Sequence, residues 1–364
     1  MDVKEETAAH SLLGRTLKND WKVIRKHEKK DGDTGGFFSV CYTVSKNGEL
    51  AFLKALNFTA FFQLFKGRPI IEILSEQTNA YKYEKDLLNR CKNNRLSKVS
   101  LIIDEGEEIV DDFTISNVPY LIFKIAEGDA RSHMNFSMNL ENSWKLNSLH
   151  NIAVGLKQLH GVRIGHQDLK PSNILLFQDG LVSKIGDLGR SLCSDIEAPH
   201  ENNGNFPGDF SYSPPEFLYN FIEPDWNFRI GATDMYLFGS LVVFYFTGTN
   251  MTSLIGKNLD PQFKWTRWRG TFEQVNDYLI NAFYKAIQEF KSSIIDQNLA
   301  NELAEIIEYS CFPIPNRRGH PKTLKISNDK NGDRRTNLNQ FDFRRIISKF
   351  DILTKRAKYN LNSK

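Results

Sequence analysis

Two runs in which apolar and polar positions alternate, "FFSVCYTV" (Phe37–Val44) and "ELAFLKAL" (Glu49–Leu56), flank the turn sequence "SKNG". A period of two is what a strand shows when one face is buried, and Asn-Gly accepts a tight left-handed turn. The segment therefore predicts a β-hairpin. The period then changes: Phe58, Phe61, Phe62 and Phe65 recur at i, i+3, i+4 and i+7, a helical stripe expected to pack rather than to line a ligand site. A second helix is expected after Pro69, through "YKYEKDLLNRC", with strand-like runs following in "VSLIID" and "PYLIFKIAEG". From about Leu146 the periodicity is mainly helical, interrupted by short strands around "NILLF" and "LVSKIGD". The longest apolar stretch, "SLVVFYF" near Leu241, is too short to cross a bilayer and reads as part of a buried helix.

A mostly β first part and a mostly helical second part predict an α+β fold of two lobes, hinged near Lys124–Asp129. The expected organisation is an N-terminal extension over 1–20, a small lobe over 21–124, a larger lobe over 125–326 and a basic segment over 327–364. The polar stretch "SNDKNGDRRTN" (Ser327–Asn337) reads as a linker before a last amphipathic helix.

Composition adds three points. A chain of 364 residues, 40% hydrophobic and 25% charged, is long enough for two sizeable cores. The net charge of +3 is unevenly spread: from Lys322 to Lys364 twelve Lys/Arg stand against four Asp/Glu, so the body before it is mildly acidic. That tail suits either an acidic partner, such as nucleic acid or an anionic surface, or a solvated helix packed on the lobe. Cys41, Cys91, Cys193 and Cys311 are widely separated and form no C-x-x-C, so reduced thiols in a cytoplasmic setting are expected. "MDVKEETAAH" shows no secretory signal pattern.

The chemistry concentrates in "IGHQDLKPSNILL" (Ile164–Leu176), with Asp168, Lys170 and Asn173 inside six residues. Pro171 disfavours helix there, so the three sit on a tight loop before a strand. A further acid, Asp187, ends the strand "KIGD", beside Gly189. A positioned carboxylate, a neutral oxygen ligand and another carboxylate are what metal-assisted phosphoryl transfer needs, because Mg²⁺ takes hard oxygen ligands beside substrate phosphates. The bland alternative is a polar loop with capping residues.

The ordered set "HQDLKPSN", "DLG", "SPPE" (Ser213–Glu216) and "TDMYLFG" (Thr233–Gly239) resembles the eukaryotic-like protein kinases of serine/threonine type. The resemblance runs from about Gly35 to Arg318, and it implies a bilobal kinase fold. It makes Asp168 the catalytic base, Lys170 the lysine that neutralises the transferred phosphoryl, and Asn173 and Asp187 the Mg²⁺ ligands. By the same resemblance Lys54 in "AFLK" binds ATP phosphates and pairs with a helix glutamate, Glu84 or, less well placed, Glu76. Glu216 is similar to a buried glutamate that pairs with Arg318, and Asp234 to a helix aspartate that braces the catalytic loop. Gly35 and Val40 align with the glycine-rich nucleotide loop.

Three positions depart from the family pattern. Phe38 stands where the last glycine of that loop falls, Phe52 where a small residue covers adenine, and Asp209 where a threonine approaches Asp168 and Lys170. Gln167 replaces an arginine that, in regulated members, pairs with a phosphate on the activation loop. The resemblance thus implies transfer of the γ-phosphate of ATP to serine or threonine hydroxyls of a protein substrate, independent of activation-loop phosphorylation. The alternatives are a pseudokinase acting as a binding module and a kinase of small-molecule hydroxyls.

Overall fold

The computed structural model of the chain describes residues 7–28, 39–136, 140–201, 206–323 and 339–362. Gly35 and the "SNDKNGDRRTN" linker lie outside them. The chain divides into two compact units, residues 1–96 with 100–126, and residues 97–99 with 127–364. The first is β-rich and the second mainly helical, the two-lobe α+β class expected.

The first unit is built on an antiparallel sheet of strands β1 (Lys22–Lys26), β2 (Ser39–Lys46), β3 (Glu49–Leu56), β4 (Ile102–Ile109) and β5 (Asn117–Lys124), in the order β1-β2-β3-β5-β4. Lys46 pairs with Glu49, which leaves Asn47 and Gly48 as a two-residue turn, both with positive φ (52° and 83°). Residues that tolerate the left-handed region are what such a hairpin needs. Counting back from this turn sets the register of the whole hairpin. Ala51, Leu53 and Ala55 of β3 are buried on one face with Val40, Tyr42 and Val44 of β2, while Phe52, Lys54 and Leu56 take the other face.

Helix α1 (Phe58–Leu64) carries the phenylalanine stripe, with Phe58 and Phe61 buried, and α2 (Ile70–Asn93) runs on from Pro69 for 24 residues. The strand expected in "VSLIID" begins later and continues through "DEGEEI". It is a sheet edge, where acids are tolerated because they reach solvent or partners. Asp104 accepts hydrogen bonds from Asn19 Nδ2 (2.8 Å) and Trp21 Nε1 (2.9 Å). Asn19 belongs to the stretch expected as an extension, and Trp21 opens the expected small lobe. Ala8, Ala9, Leu12 and Leu17 of that extension are buried with Trp21 in the same core as the sheet, and Tyr42 Oη donates to the Ala9 carbonyl at 2.7 Å.

The second unit opens with β6 (Gly128–Asp129), α3 (Ala130–Phe136) and α4 (Asn142–Gly161). Then come β7 (Ile164–Gly165), the paired strands β8 (Ile174–Phe177) and β9 (Val182–Ile185), and β10 (Leu192–Cys193), which pairs back to β7. Helices α5 (Pro215–Leu218), α6 (Trp226–Thr247), α7 (Met251–Asn258), α8 (Phe272–Ser292), α9 (Gln297–Cys311) and α10 (Arg344–Asn362) complete it. Helix α6 is 22 residues long with a window of mean hydropathy 1.3, long and apolar enough to cross a membrane by length and composition alone. The apolar stretch near Leu241 lies within it, in the buried helix expected. Of that window 89% is buried, which makes α6 the central core helix.

Helix α10 packs on α4 and buries Ile346, Phe350 and Leu353, with Phe341 and Phe343 just before it. Four of its basic side chains are paired at home: Lys349 and Arg356 with Glu302, Lys355 with Asp351, and Arg344 with Asp342.

Candidate active site

In the first unit, Lys54 Nζ meets the Glu84 carboxylate at 2.9 Å, joining β3 to α2. Glu76, the weaker candidate, lies further up α2 and pairs with Arg68 instead. Val40 requires a correction. It pairs with Ala55 in the register, is 6% exposed and belongs to the core cluster, so it points away from the face that carries Lys54. Directly opposite residues in an antiparallel ladder share a face, and a one-residue offset reverses it. The β2 residue opposite Lys54 is Cys41, one position on, and half-buried. Phe52 lies on that same face, its ring 5.7 Å from the ring of His27.

In the second unit the catalytic-loop candidates come together. Strand β7 delivers the chain to His166, and Gln167 adopts a positive φ of 63°. Such a conformation persists only where the surroundings hold it. Asp234 of α6, fully buried, holds it: its carboxylate accepts from the backbone N–H of His166 (2.9 Å) and Gln167 (2.8 Å), and from His160 Nε2 (2.8 Å). Burial pushes the Asp234 carboxyl up, but the His160 hydrogen bond and charge and the loop amides outweigh it and hold it below the usual range.

Both oxygens of Asp168 are engaged. Oδ1 accepts from the backbone N–H of Asp209 (2.7 Å), and Oδ2 from Asn173 Nδ2 (3.1 Å) and Lys170 Nζ (3.1 Å). Asp209 also faces Lys170, at 3.5 Å, and accepts from the Ser211 hydroxyl at 2.7 Å. Burial raises the Asp209 carboxyl, and the Ser211 bonds with the Lys170 charge more than offset it, so the group stays ionised at neutral pH. Asn173 closes a short turn after Pro171 and leads into β8, whose Ile174 pairs with Ile185 of β9. Asp187 follows β9 two residues later, exposed and with φ of 57°. Paired strand ends thus present Asn173 and Asp187, an amide and a carboxylate, which fit a hard cation. Away from the loop, Arg318 and Glu216 form a buried two-bond ion pair, each N–O distance 2.6 Å.

A sequence model of the protein kinase domain matches residues 70–319. The chain belongs to the protein kinase family. Among relatives of this kinase domain, inhibitor of nuclear factor kappa-B kinase subunit alpha from Xenopus tropicalis is 30% identical over 201 residues, 51% of this chain and 23% of the relative. Cysteine-rich receptor-like protein kinase 36 from Arabidopsis thaliana is 26% identical over 211 residues, 55% of this chain and 29% of its own length. Cysteine-rich receptor-like protein kinase 26 from the same plant is 25% identical over 293 residues, 77% and 39% of the two chains. The kinase domain thus spans well under half the length of these relatives. The domain match begins after Lys54, so Lys54 rests on its ion pair with Glu84 and on its place in β3.

Two features escaped the sequence reading. Cys41 was missed because it falls on the Ser39 and Thr43 side of the alternation in "FFSVCYTV", and alternation alone does not say which side faces Lys54. The partners that fix Glu201, in the segment between Asp187 and Glu216, lie on α6, and nothing in the spacing of charges shows them.

Proposed function

We propose that this kinase domain transfers the γ-phosphate of ATP to serine and threonine hydroxyls of proteins and is active without phosphorylation of its activation loop. The observation that carries the reading is the Asp168 carboxylate, held by donors from Lys170, Asn173 and Asp209 while remaining part of the loop that β7 and Asp234 position. An acceptor hydroxyl donates its hydrogen bond to this carboxylate. Its oxygen forms the new bond to the γ-phosphorus as the bond to the β–γ bridging oxygen breaks. The proton leaves toward Asp168, and ADP departs with the bridging oxygen. Lys170 supplies positive charge beside the reacting oxygens, and the Lys54–Glu84 pair supplies a fixed ammonium for the ATP phosphates. Asn173 and Asp187 would hold Mg²⁺, which neutralises phosphate charge when bound. Lys170 two residues after Asp168 favours serine and threonine acceptors by family resemblance.

Independence from loop phosphorylation is supported by Gln167. Its side chain is turned inward, 1% exposed, donating to Asp234 Oδ1 (2.8 Å) and the Ile230 carbonyl (3.1 Å). It offers no cation to a phosphate. Ser191, one of the few hydroxyls in the segment, is fully buried.

The test is transfer of radiolabelled γ-phosphate from ATP to a generic protein substrate. Asp168→Asn is expected to lower kcat by roughly 10²–10⁴-fold with KM for ATP little changed, since the base does not hold nucleotide. Lys54→Ala or Asp187→Ala should instead weaken nucleotide binding. Wild-type protein that binds ATP and transfers nothing would be a binding module, and transfer only to small hydroxyl compounds would refute a protein acceptor. Phosphatase-treated protein should keep most of its initial rate.

A further inference from the structure

The segment from Asp187 to Glu216 contributes at both ends to the site, through Asp187 and through the Asp209 amide on Asp168. Its middle is anchored by a carboxylate. Glu201 Oε1 accepts from Trp226 Nε1 at 2.7 Å and from Arg229 Nη2 at 3.3 Å. The two donors sit on the first turn of α6, and Arg229 is itself fixed by donating to the Glu223 carbonyl at 2.9 Å. The glutamate and arginine side chains are only 19% and 15% exposed, so the pair is partly shielded from water and salt. Further along, Phe206 packs on Phe217, and Gly208 passes so close to the Gln167 carbonyl that a Cβ would not fit.

Helix α6 therefore grips two things. Asp234 holds the amides of the catalytic loop, and two turns earlier Trp226 and Arg229 hold the activation segment. A rigid helix that fixes both keeps the Asp209 amide in register with Asp168.

We infer that Glu201 is a positioning residue whose permanent negative charge, docked on Trp226 and Arg229, orders the activation segment in the way a phosphate does elsewhere. This rests on the phosphorylation-independent reading above and names the group responsible. A carboxylate accepting one N–H bond and facing one guanidinium supplies the same kind of charge-assisted contact as a loop phosphate. It differs in being present from synthesis onward and beyond the reach of a phosphatase.

The experiment compares wild type, Glu201→Ala, Glu201→Gln, and the charge-swapped pair Glu201→Arg with Arg229→Glu. Each full-length protein is phosphatase-treated and its rates on an exogenous protein acceptor are measured against ATP and against acceptor. Glu201→Ala should lower kcat/KM for the acceptor roughly tenfold, the scale of one lost charge-assisted hydrogen bond. KM for ATP should stay unchanged, and limited proteolysis should cut faster between residues 195 and 208. Glu201→Gln keeps an acceptor for Trp226 and should fall between, and the swapped pair should recover part of the loss.

An unchanged rate in Glu201→Ala would overturn the inference. So would a loss of activity that tracks loss of thermal stability with KM for ATP rising in parallel. If the wild type itself needs phosphate on Ser194 or Ser211 for activity, the underlying reading fails, which the phosphatase arm on wild type reads separately.

Discussion

Between Val40 and Cys41 the chain passes from core to candidate nucleotide face in one step. Val40→Ala should cost about 2 kcal/mol of stability, from lost burial and the cavity left behind, with KM for ATP unaffected. Cys41, opposite Lys54, should react with iodoacetamide more slowly when Mg²⁺ and ATP are present. Equal labelling rates with and without nucleotide would place the thiol away from it. The signal that corrects Val40 was in the sequence all along. Asn47–Gly48 fixes a two-residue turn, and pairing outward from Lys46 and Glu49 puts Cys41 against Lys54. By contrast, Asp168, Lys170 and Asn173 were legible because they act within one short loop. A local spacing of five residues largely determines how they meet.

At the scale of elements, α6 has the most to lose, because its buried Asp234 has no water to fall back on. Its carboxyl is held below the ordinary value of 3.8, so the bonds it makes contribute fully at neutral pH. That contribution is lost only as pH falls below 3.8 through the folded-state value. Asp234→Asn should therefore be less stable than wild type at pH 7, by about 3–5 kcal/mol, the scale for breaking a buried pair. The gap should narrow near pH 3, as followed by urea denaturation at both values. A gap independent of pH would mean that shape and not charge matters at this position. Helices and strands were mostly recognisable from period and punctuation. One exception is β4, whose last six residues, "DEGEEI", are too acidic for a strand pattern. It pairs because an edge strand leaves half its side chains in water, and because Gly106 makes room for the Tyr120 ring.

At the scale of the whole molecule, the stretch expected as an extension is part of a core, and the last helix takes the packed one of the two readings open for the tail. Residues 8–21 help close the first unit's core, and α10 closes the second against α4. Removing residues 339–364 strips Phe343, Ile346 and Phe350 from the core, each at most 1% exposed. Each such deletion costs several kcal/mol, against the roughly 5–15 kcal/mol that holds a domain folded. The truncated protein should lose its cooperative melt for the second unit and with it activity. A truncation that melts within a few degrees of wild type would show α10 to be dispensable. The sequence offered a helix packed on the lobe as one of two readings, but amphipathic periodicity identifies a helix with an apolar face and does not say what covers that face.

The docking of α10 on α4 also sets a clock. Helix α4 ends at Gly161, but its partner is not made until the ribosome has reached Asn362. The first unit, complete by residue 126, has everything it needs far sooner. At translation rates of about 5–20 residues per second, the uncovered face of α4 waits on the order of ten seconds or more. During that interval the nascent chain presents an apolar surface that chaperones can bind, and synonymous codon changes upstream of α10 would lengthen or shorten the exposure without altering one amino acid.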